Sequence, residues 1–403
     1  MFAIIYISIT FFSFILFLSI NFKKSDKWII LLVAFSFGIL AFSLTSKSGL
    51  FTDKVRFDQT MDTIKYQAIK FGYKDGWNYL LNEEGYNSTP IAGVLVYISA
   101  IINKRLLYFI VAFTDFYISL SWIYRFALNK KSKIIMAFGS LTFMCIYIFS
   151  ASVSGVRTNL AGAMAIYTIY LHLTNQLNIF KTYLILLVAT LIHPSMLIFW
   201  GLDLIVTLFG KVPWMRRIIY ILLLGENFFQ NSLFNIFKSL SFIPFFASIS
   251  FKTTQYFRDN AYIVSYSSIV SGFRTYLRFI ILASITLYVI IKKSKSLNFK
   301  YTVYSKFYLC LTTGSITDTI LFGRLTTLMV YSFIPYICIF IYHFFASSDL
   351  KNGKLKLVSA IFLIILSISL LDNVRAGTRF FNIAADNNTK IVLNNIKKTS
   401  HIM

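Results

Sequence analysis

The sequence predicts an all-α polytopic integral membrane protein. Of its 403 residues, 57% are hydrophobic and only 13% are charged, whereas an average soluble domain has about 25% charged residues. The mean hydropathy is +0.70, and the apolar residues are grouped in runs of about 20, the length of helix that crosses a bilayer. A soluble fold of this size could not bury so much apolar surface in one core. Secreted disulfide scaffolds, soluble nucleotide-binding enzymes and disordered chains are excluded.

About 10–12 transmembrane helices are expected. The first apolar run, Phe2–Phe22, precedes Lys23 and Lys24, and a signal peptide would carry its positive charge in front. It is therefore expected to be a retained span with its N-terminus outside, and Trp28–Leu44 returns the chain to the outer face. Further spans are expected near Leu106–Tyr124, Ile134–Ser152, Leu160–Thr174, Thr182–Phe209, from Ile218–Leu224 onward, and near Tyr276–Ile291, Val303–Leu321, Leu325–Phe345 and Leu357–Leu371.

Two apolar segments depart from a simple span. Ile91–Ile102 covers only about 18 Å as a helix, so it is expected to be a re-entrant or outer-surface helix. Thr182–Phe209 is interrupted by His193 and Pro194. Proline breaks the backbone ladder, and bilayer helices tolerate a break only where protein or a water-filled cavity satisfies it. Two half-helices are expected to meet at His193.

The charge pattern supports this organisation. The net charge of +24 is concentrated in short loops that hold only Asp26 and Asp349 as acids, which is the positive-inside bias and not a surface for nucleic acid. Residues 1–371 are expected to form the membrane domain, with nearly charge-balanced outer loops at about 45–89 and 226–274. Residues 372–403 are expected to form a C-terminal tail.

Arginines stand at three entrances to apolar segments on the expected outer side, where the positive-inside bias does not apply. They are Arg157, the pair Arg274 and Arg278, and Arg324, with little acid nearby except Asp318. Guanidinium groups bind phosphate in a bidentate fork, so these residues predict an anion site. The alternative for Arg157 is an interfacial arginine whose side chain extends to the headgroups.

Candidate acid–base groups lie in the same outer regions. His193 is a candidate general base because a neutral imidazole accepts a proton near physiological pH; the alternative is that its ring satisfies the broken backbone. Asp62, Glu84 and Asp58 are candidates for a base or for contacts to sugar hydroxyls, and a solvated loop face explains them equally well. Asp115, in the middle of a span, is expected to pair with a cation or to stay protonated.

The order of these features resembles the EpsG-like branch of the Wzy polysaccharide polymerases. An Asp-x-x-x-Tyr element ends at Tyr66, and an acidic-Gly-aromatic element ends at Tyr86. The Gly-Val-Arg turn at Arg157, the His-Pro-Ser element at His193 and the arginine-led aromatic span at Arg324 follow in the family's order. Thr158 stands where relatives often carry Gln. The resemblance covers about residues 1–345.

The resemblance implies a GT-C-like glycosyltransferase architecture in a bacterial cytoplasmic membrane. The reaction would transfer a growing glycan from a polyprenyl diphosphate carrier to a lipid-linked repeat unit, forming capsule, exopolysaccharide or O-antigen. Arg157, Arg274, Arg278 and Arg324 would hold the diphosphate. His193, or Asp62 or Glu84, would activate the acceptor. Glycan contacts are expected from Tyr66, Tyr86 and Asp58, with no metal or other cofactor. Partners would be the lipid-linked oligosaccharide, a chain-length regulator and a flippase.

Three alternatives remain open from the sequence. A flippase for lipid-linked sugars would bind the same carrier without chemistry, although transporters usually contain repeats and paired broken helices near the midplane. An O-antigen-ligase-type glycosyltransferase would use the same donor. A membrane O-acyltransferase would also use an intramembrane histidine, but no polar inner chamber for an acyl donor is evident.

Overall fold

The computed structural model describes residues 1–23, 26–46, 53–225, 239, 269–293, 297–317, 319–346 and 353–383, of which 87% are helical. The α-helices are α1 (Phe2–Leu18), α2 (Lys27–Phe42), α3 (Asp53–Phe71), α4 (Tyr73–Asn82), α5 (Pro90–Ile102), α6 (Arg105–Lys130), α7 (Lys133–Ile146), α8 (Phe149–Ser154), α9 (Val156–Leu173), α10 (Ile179–Ile192), α11 (Met196–Phe209), α12 (Pro213–Leu224), α13 (Ile269–Lys292), α14 (Phe299–Gly314), α15 (Thr319–Ser332), α16 (Ile334–Ile341) and α17 (Gly353–Phe380). Short 3₁₀ segments lie at Tyr86–Ser88 and Ser315–Thr317, a π-helical turn lies at Tyr342–Ala346, and the strands are β1 (Leu44–Ser46) and β2 (Phe381–Ile383).

The fold is that of an all-α membrane protein. Among the described residues, three helical segments are long and apolar enough to cross a membrane: Arg105–Lys130, Arg274–Lys292 and Ser359–Phe380. Leu321–Ser332 and Ile334–Phe345 pass the same test only together, with a bend of 51° between them, as in a broken span or a re-entrant loop. These segments carry the apolar composition that the sequence indicated.

The bundle has two distinguishable ends. At one, here called the sheet end, β1 and β2 pair antiparallel with Thr45 opposite Asn382. At the opposite end, the Tyr124 hydroxyl donates to the Lys23 carbonyl and Lys133 Nζ donates to Asn21. The helix α9 begins at the sheet end, and the α10–α11 pair folds back as a hairpin in which Tyr183 stacks on Trp200 with ring centroids 5.5 Å apart.

Aromatic side chains fill the centre of the bundle. Phe37 of α2 stacks on Phe116 of α6 with centroids 3.8 Å apart, and Tyr6 and Phe149 surround the pair. All four are buried. The high aromatic content therefore serves close packing between helices, where large flat rings give extensive dispersion contact.

The region expected to form the first outer loop contains two helices. Residues 45–89 were expected as an outer loop, but α3 and α4 occupy most of their described part and pack against each other and against α5. The expected short helix at Ile91–Ile102 is confirmed as α5. Most of the expected second outer loop, 226–274, lies outside the described residues, as do residues 384–403. The helix α17 crosses residue 371, where the tail was expected to begin, and ends at Phe380.

The spans expected at Ile134–Ser152, Val303–Leu321 and Leu325–Phe345 were wrong as continuous helices. The first breaks at Tyr147 and Ile148 between α7 and α8. The second is interrupted after α14 by the 3₁₀ segment at Ser315–Thr317, and the third bends between α15 and α16 just before Pro335. The break expected at His193 and Pro194 is confirmed. Each break frees backbone carbonyls that must find donors inside the protein.

Two distant side chains satisfy the carbonyls at the first break. The Tyr6 hydroxyl donates to the Met144 carbonyl over 2.7 Å. The Asn373 amide, from α17, donates to the carbonyls of Cys145 and Tyr147, each over 2.7 Å. Because Asn373 is buried, water would not replace it as a hydrogen-bond donor to these carbonyls if it were removed.

Replacing Asn373 with Leu is expected to destabilise the fold by about 2 kcal/mol, because the buried carbonyls lose their donors. Thermal unfolding in detergent measures the effect. The control is Ser367→Ala in the same helix, whose hydroxyl bonds only to the carbonyl of Leu363. Equal melting temperatures for the two variants would contradict this account of the break.

Candidate functional site

Arg157 lies in the first turn of α9 at the sheet end. Its guanidinium carbon is 5.2 Å from the centroid of the Tyr86 ring and 5.8 Å from that of Phe57. The contact brings together three separate sequence elements: the start of α3, the acidic-Gly-aromatic element and the Gly-Val-Arg turn. Among the described residues, no carboxylate forms a salt bridge with Arg157, so its positive charge stays available to a ligand.

Local backbone geometry places the two sides of this contact. Gly85 has φ of +70°, a left-handed conformation that glycine adopts at little cost, and it turns the chain from Glu84 into Tyr86. On the other side, a Cβ on Gly155 would lie 2.9 Å from Asn159 Nδ2. The Asn159 amide donates to the carbonyls of Ala151 and Gly155, which fixes the junction of α8 and α9.

The start of α9 has no side-chain cap, since Gly155 occupies the N-cap position. The first backbone N–H groups of a helix have no partner within the helix, and the helix dipole makes this end positive. Together with the Arg157 guanidinium, these groups form an arrangement that is suited to an anion.

Glu84 adds a carboxylate to the same cluster. It accepts a hydrogen bond of 3.1 Å from the Thr60 hydroxyl. Burial raises the pKa of the Tyr86 phenol above its ordinary value, with Arg157 lowering it and Glu84 raising it to a smaller extent. The phenol therefore stays protonated at neutral pH, and Glu84 contributes the carboxylate of this cluster.

Asp58 is committed to a structural pair. Its carboxylate lies 2.7 Å from Lys54 Nζ and accepts a hydrogen bond of 2.9 Å from the Tyr108 hydroxyl. The Lys54 side chain is only 3% exposed, and burial lowers its pKa, which Asp58 partly opposes. Asp58 therefore stabilises the charged form of Lys54. It also connects α3 to α6 through Tyr108.

Asp62 and Tyr66 lie four residues apart on α3 and are both exposed. Asp62 forms a bidentate salt bridge with Lys104, at 2.7 and 3.0 Å, and Tyr66 accepts a hydrogen bond from Lys70. The buried positions of the same helix, including Phe57 and Thr60, face the Arg157 cluster. Glu84 is therefore better placed than Asp62 to act beside Arg157.

His193 lies in the break between α10 and α11. Its Nδ1 is 2.6 Å from the Ser195 hydroxyl and accepts a bond of 3.3 Å from the Ser195 backbone N–H. A backbone N–H can only donate, so Nδ1 is an acceptor and the neutral ring carries its proton on Nε2. This tautomer makes Nε2 a hydrogen-bond donor, which argues against His193 as the base.

The arginine pair has a carboxylate that the sequence interpretation did not assign to it. Arg274 Nε is 2.5 Å and Arg278 Nη2 is 3.3 Å from the Asp372 carboxylate. The premise that little acid lies near these arginines was wrong, because Asp372 belongs to the last helix and not to a tail. Asp318 lies outside the described residues. Arg324 lies in α15, partly buried.

Two further polar contacts were not anticipated. Asp115 accepts a hydrogen bond of 2.6 Å from the Tyr147 hydroxyl, so its partner is a phenol and not a cation. The Nδ1 atom of His172 lies 3.0 Å from both carboxylate oxygens of the buried Asp203. These partners are 31 or more residues apart in the chain, and only the polar character of residues within apolar runs signalled them.

Comparison with family models, curated proteins and solved structures gives no match to this chain. The resemblance to EpsG-like polymerases therefore stays an expectation from the order of the motifs in the sequence.

Replacing Asp58 with Asn is expected to destabilise the fold by about 3 kcal/mol, because Lys54 remains buried without its counter-charge. The pKa of Lys54 then falls further, so the unfolded state binds more protons than the folded state at alkaline pH. The loss of stability should accordingly shrink as the pH rises toward the ordinary lysine pKa. Thermal unfolding at several pH values measures this.

The control for this experiment is Asp62→Asn, which breaks the exposed pair with Lys104. We expect it to change stability by less than about 1 kcal/mol. The double variant Lys54→Met/Asp58→Asn should recover most of the loss. An Asp58→Asn protein as stable as the parent at neutral pH would show that Lys54 does not depend on Asp58.

Proposed function

We propose that this protein polymerises lipid-linked oligosaccharides, transferring a growing glycan from a polyprenyl diphosphate carrier to an acceptor repeat unit. The reaction would occur at the sheet end, on the outer face of a bacterial cytoplasmic membrane. The proposal includes 10–12 membrane spans, formed partly by the shorter apolar helices, and a GT-C-like arrangement. A chain-length regulator and a flippase of the same pathway are the proposed protein partners.

The observation that carries the proposal is the setting of Arg157. Its guanidinium is held against the rings of Tyr86 and Phe57, beside the uncapped N-terminus of α9 and without a carboxylate in a salt bridge. A held guanidinium and free backbone N–H groups bind phosphate oxygens. As the bond to the carrier breaks, negative charge grows on the leaving diphosphate, and donors already in place stabilise it without reorganising.

Glu84 is the proposed general base. A hydroxyl of the acceptor sugar attacks the anomeric carbon of the donor glycan, and its proton passes to the Glu84 carboxylate. A new glycosidic bond forms while the bond from the anomeric carbon to the diphosphate oxygen breaks, and the electron pair leaves with the diphosphate. The hydrogen bond from Thr60 orients the carboxylate. Glu84 belongs to the same cluster as Arg157, since both act electrostatically on the Tyr86 phenol.

The remaining candidate residues take supporting roles in the proposal. His193, with its proton on Nε2, is assigned as a donor to substrate oxygen. Arg274 and Arg278 are partly neutralised by Asp372, so they are assigned to the outer part of the anion path, together with Arg324. Tyr86 is assigned as a contact to the donor sugar, and the exposed Tyr66 as a contact to the growing glycan.

Arg157→Ala is expected to reduce glycan elongation at least about a hundredfold, the usual effect of removing one group that stabilises developing charge. The assay uses purified protein in liposomes with a lipid-diphosphate-linked repeat unit, and gel analysis of the glycan ladder. The matched control is Arg375→Ala, an exposed arginine of α17, which should leave the ladder unchanged.

The same assay separates polymerisation from its alternatives. If folded wild-type protein moves the substrate across the bilayer without lengthening it, the protein is a flippase and the proposed chemistry is wrong. If it transfers one glycan to a lipid acceptor that is not a repeat unit, it is a ligase-type enzyme.

Glu84→Gln is expected to lower kcat by a factor of about 10²–10⁴, since the amide cannot accept the proton. The loss of rate on acidification that a carboxylate base produces in the wild type should also disappear. Asp62→Asn is the control, because Asp62 is paired with Lys104 at the surface. If the pH dependence of kcat were unchanged in Glu84→Gln and altered in Asp62→Asn, the general base would be Asp62 and not Glu84.

A further inference from the structure

A pocket of about 500 Å³ lies between α12, α14 and the end of α13. Its position follows from the chain path: α11 descends from the break at His193 to the opposite end of the bundle, and α12 begins there after Gly210. The pocket is thus at the other end of the bundle from Arg157. It has no part in the proposed glycan transfer.

Three basic residues line this pocket, and no acidic residue does. They are Arg216 and Arg217 from α12 and Lys306 from α14. The Arg216 side chain is fixed in place, because its Nη1 donates to the Gly210 carbonyl over 2.9 Å and its guanidinium lies 5.3 Å from the Phe299 ring centroid. The pocket therefore concentrates positive charge, and one of its three basic groups is already held in position.

The rest of the lining is largely apolar. Tyr220, Ile290 and Val303 form part of the wall, and Tyr220 packs edge-on against Phe307 at a centroid distance of 5.0 Å. An inorganic anion would need only the basic groups. A ligand that has an anionic group followed by hydrocarbon satisfies both parts of the lining.

We propose that this pocket binds the headgroup phosphate of an anionic membrane lipid, with the upper part of an acyl chain against the apolar wall. The short basic loops mark this end of the bundle as cytoplasmic. Basic pockets between transmembrane helices on that side are known to hold the phosphates of anionic lipids. The lipid would tie α12 to α14, two helices that contact each other directly.

The test is a lipid titration of the purified full-length protein followed by native mass spectrometry. Phosphatidylglycerol should bind in a saturable manner and phosphatidylcholine should not. The double variant Arg217→Gln/Lys306→Gln should raise the dissociation constant for phosphatidylglycerol about thirtyfold, since each basic group near the membrane surface contributes about fivefold. Arg216 is left intact because it also holds the backbone at Gly210.

The matched control is Lys211→Gln, which removes one charge from the same loop outside the pocket lining and should leave the dissociation constant unchanged. The single variant Arg217→Gln, at an exposed position, tests the site if the double variant fails to fold. Equal weakening by Lys211→Gln and Arg217→Gln would overturn the proposal in favour of diffuse attraction. Displacement of the lipid by an equal concentration of inorganic phosphate would overturn the lipid as the occupant.

Discussion

The arrangement of this protein depends on satisfying backbone carbonyls where an apolar helix stops. At the break between α7 and α8, Tyr6 and Asn373 supply the donors, from the first and the last helix of the bundle. In a low-dielectric interior an unpaired carbonyl is costly, so the break exists only when both helices are in place. The break lets α8 form a separate short helix, and Asn159 then joins α8 to the start of α9. The position of Arg157 thus depends on contacts far from it.

The candidate site combines two kinds of support for its charges. Lys54 and Asp58 form a largely buried ion pair that fixes α3 against α6. Arg157 is held by aromatic faces, which orient a guanidinium while leaving its N–H donors unused. The charge of Lys54 is therefore neutralised inside the protein, whereas the N–H donors of Arg157 remain for a ligand. The salt bridges of Arg274 and Arg278 with Asp372 fall between these cases, because two positive groups share one carboxylate.

Composition and helix-breaking residues predicted much of this structure from the sequence. The apolar runs predicted an all-α membrane fold, and Pro194 marked the hairpin at His193. The order of the motifs placed Arg157 and Tyr86 in one expected site with different roles, but it did not predict that they contact each other. The break at Tyr147 carried no proline or glycine, and its partner Asn373 is 226 residues away, so local pattern could not reveal it. The pairing of His172 with Asp203 was hidden for the same reason: burial and geometry select the partner, not spacing along the chain.

The two-stranded sheet has a consequence for the order of assembly. Thr45 bonds to Asn382, 337 residues later, so β1 has no partner until nearly all of the described chain has been synthesised. Contacts between such distant segments form late, because the loop between them must close first. The pairing of β1 therefore requires α17, the last helix of the described chain, to be in place first. Although it is small, the sheet links the two ends of the described chain.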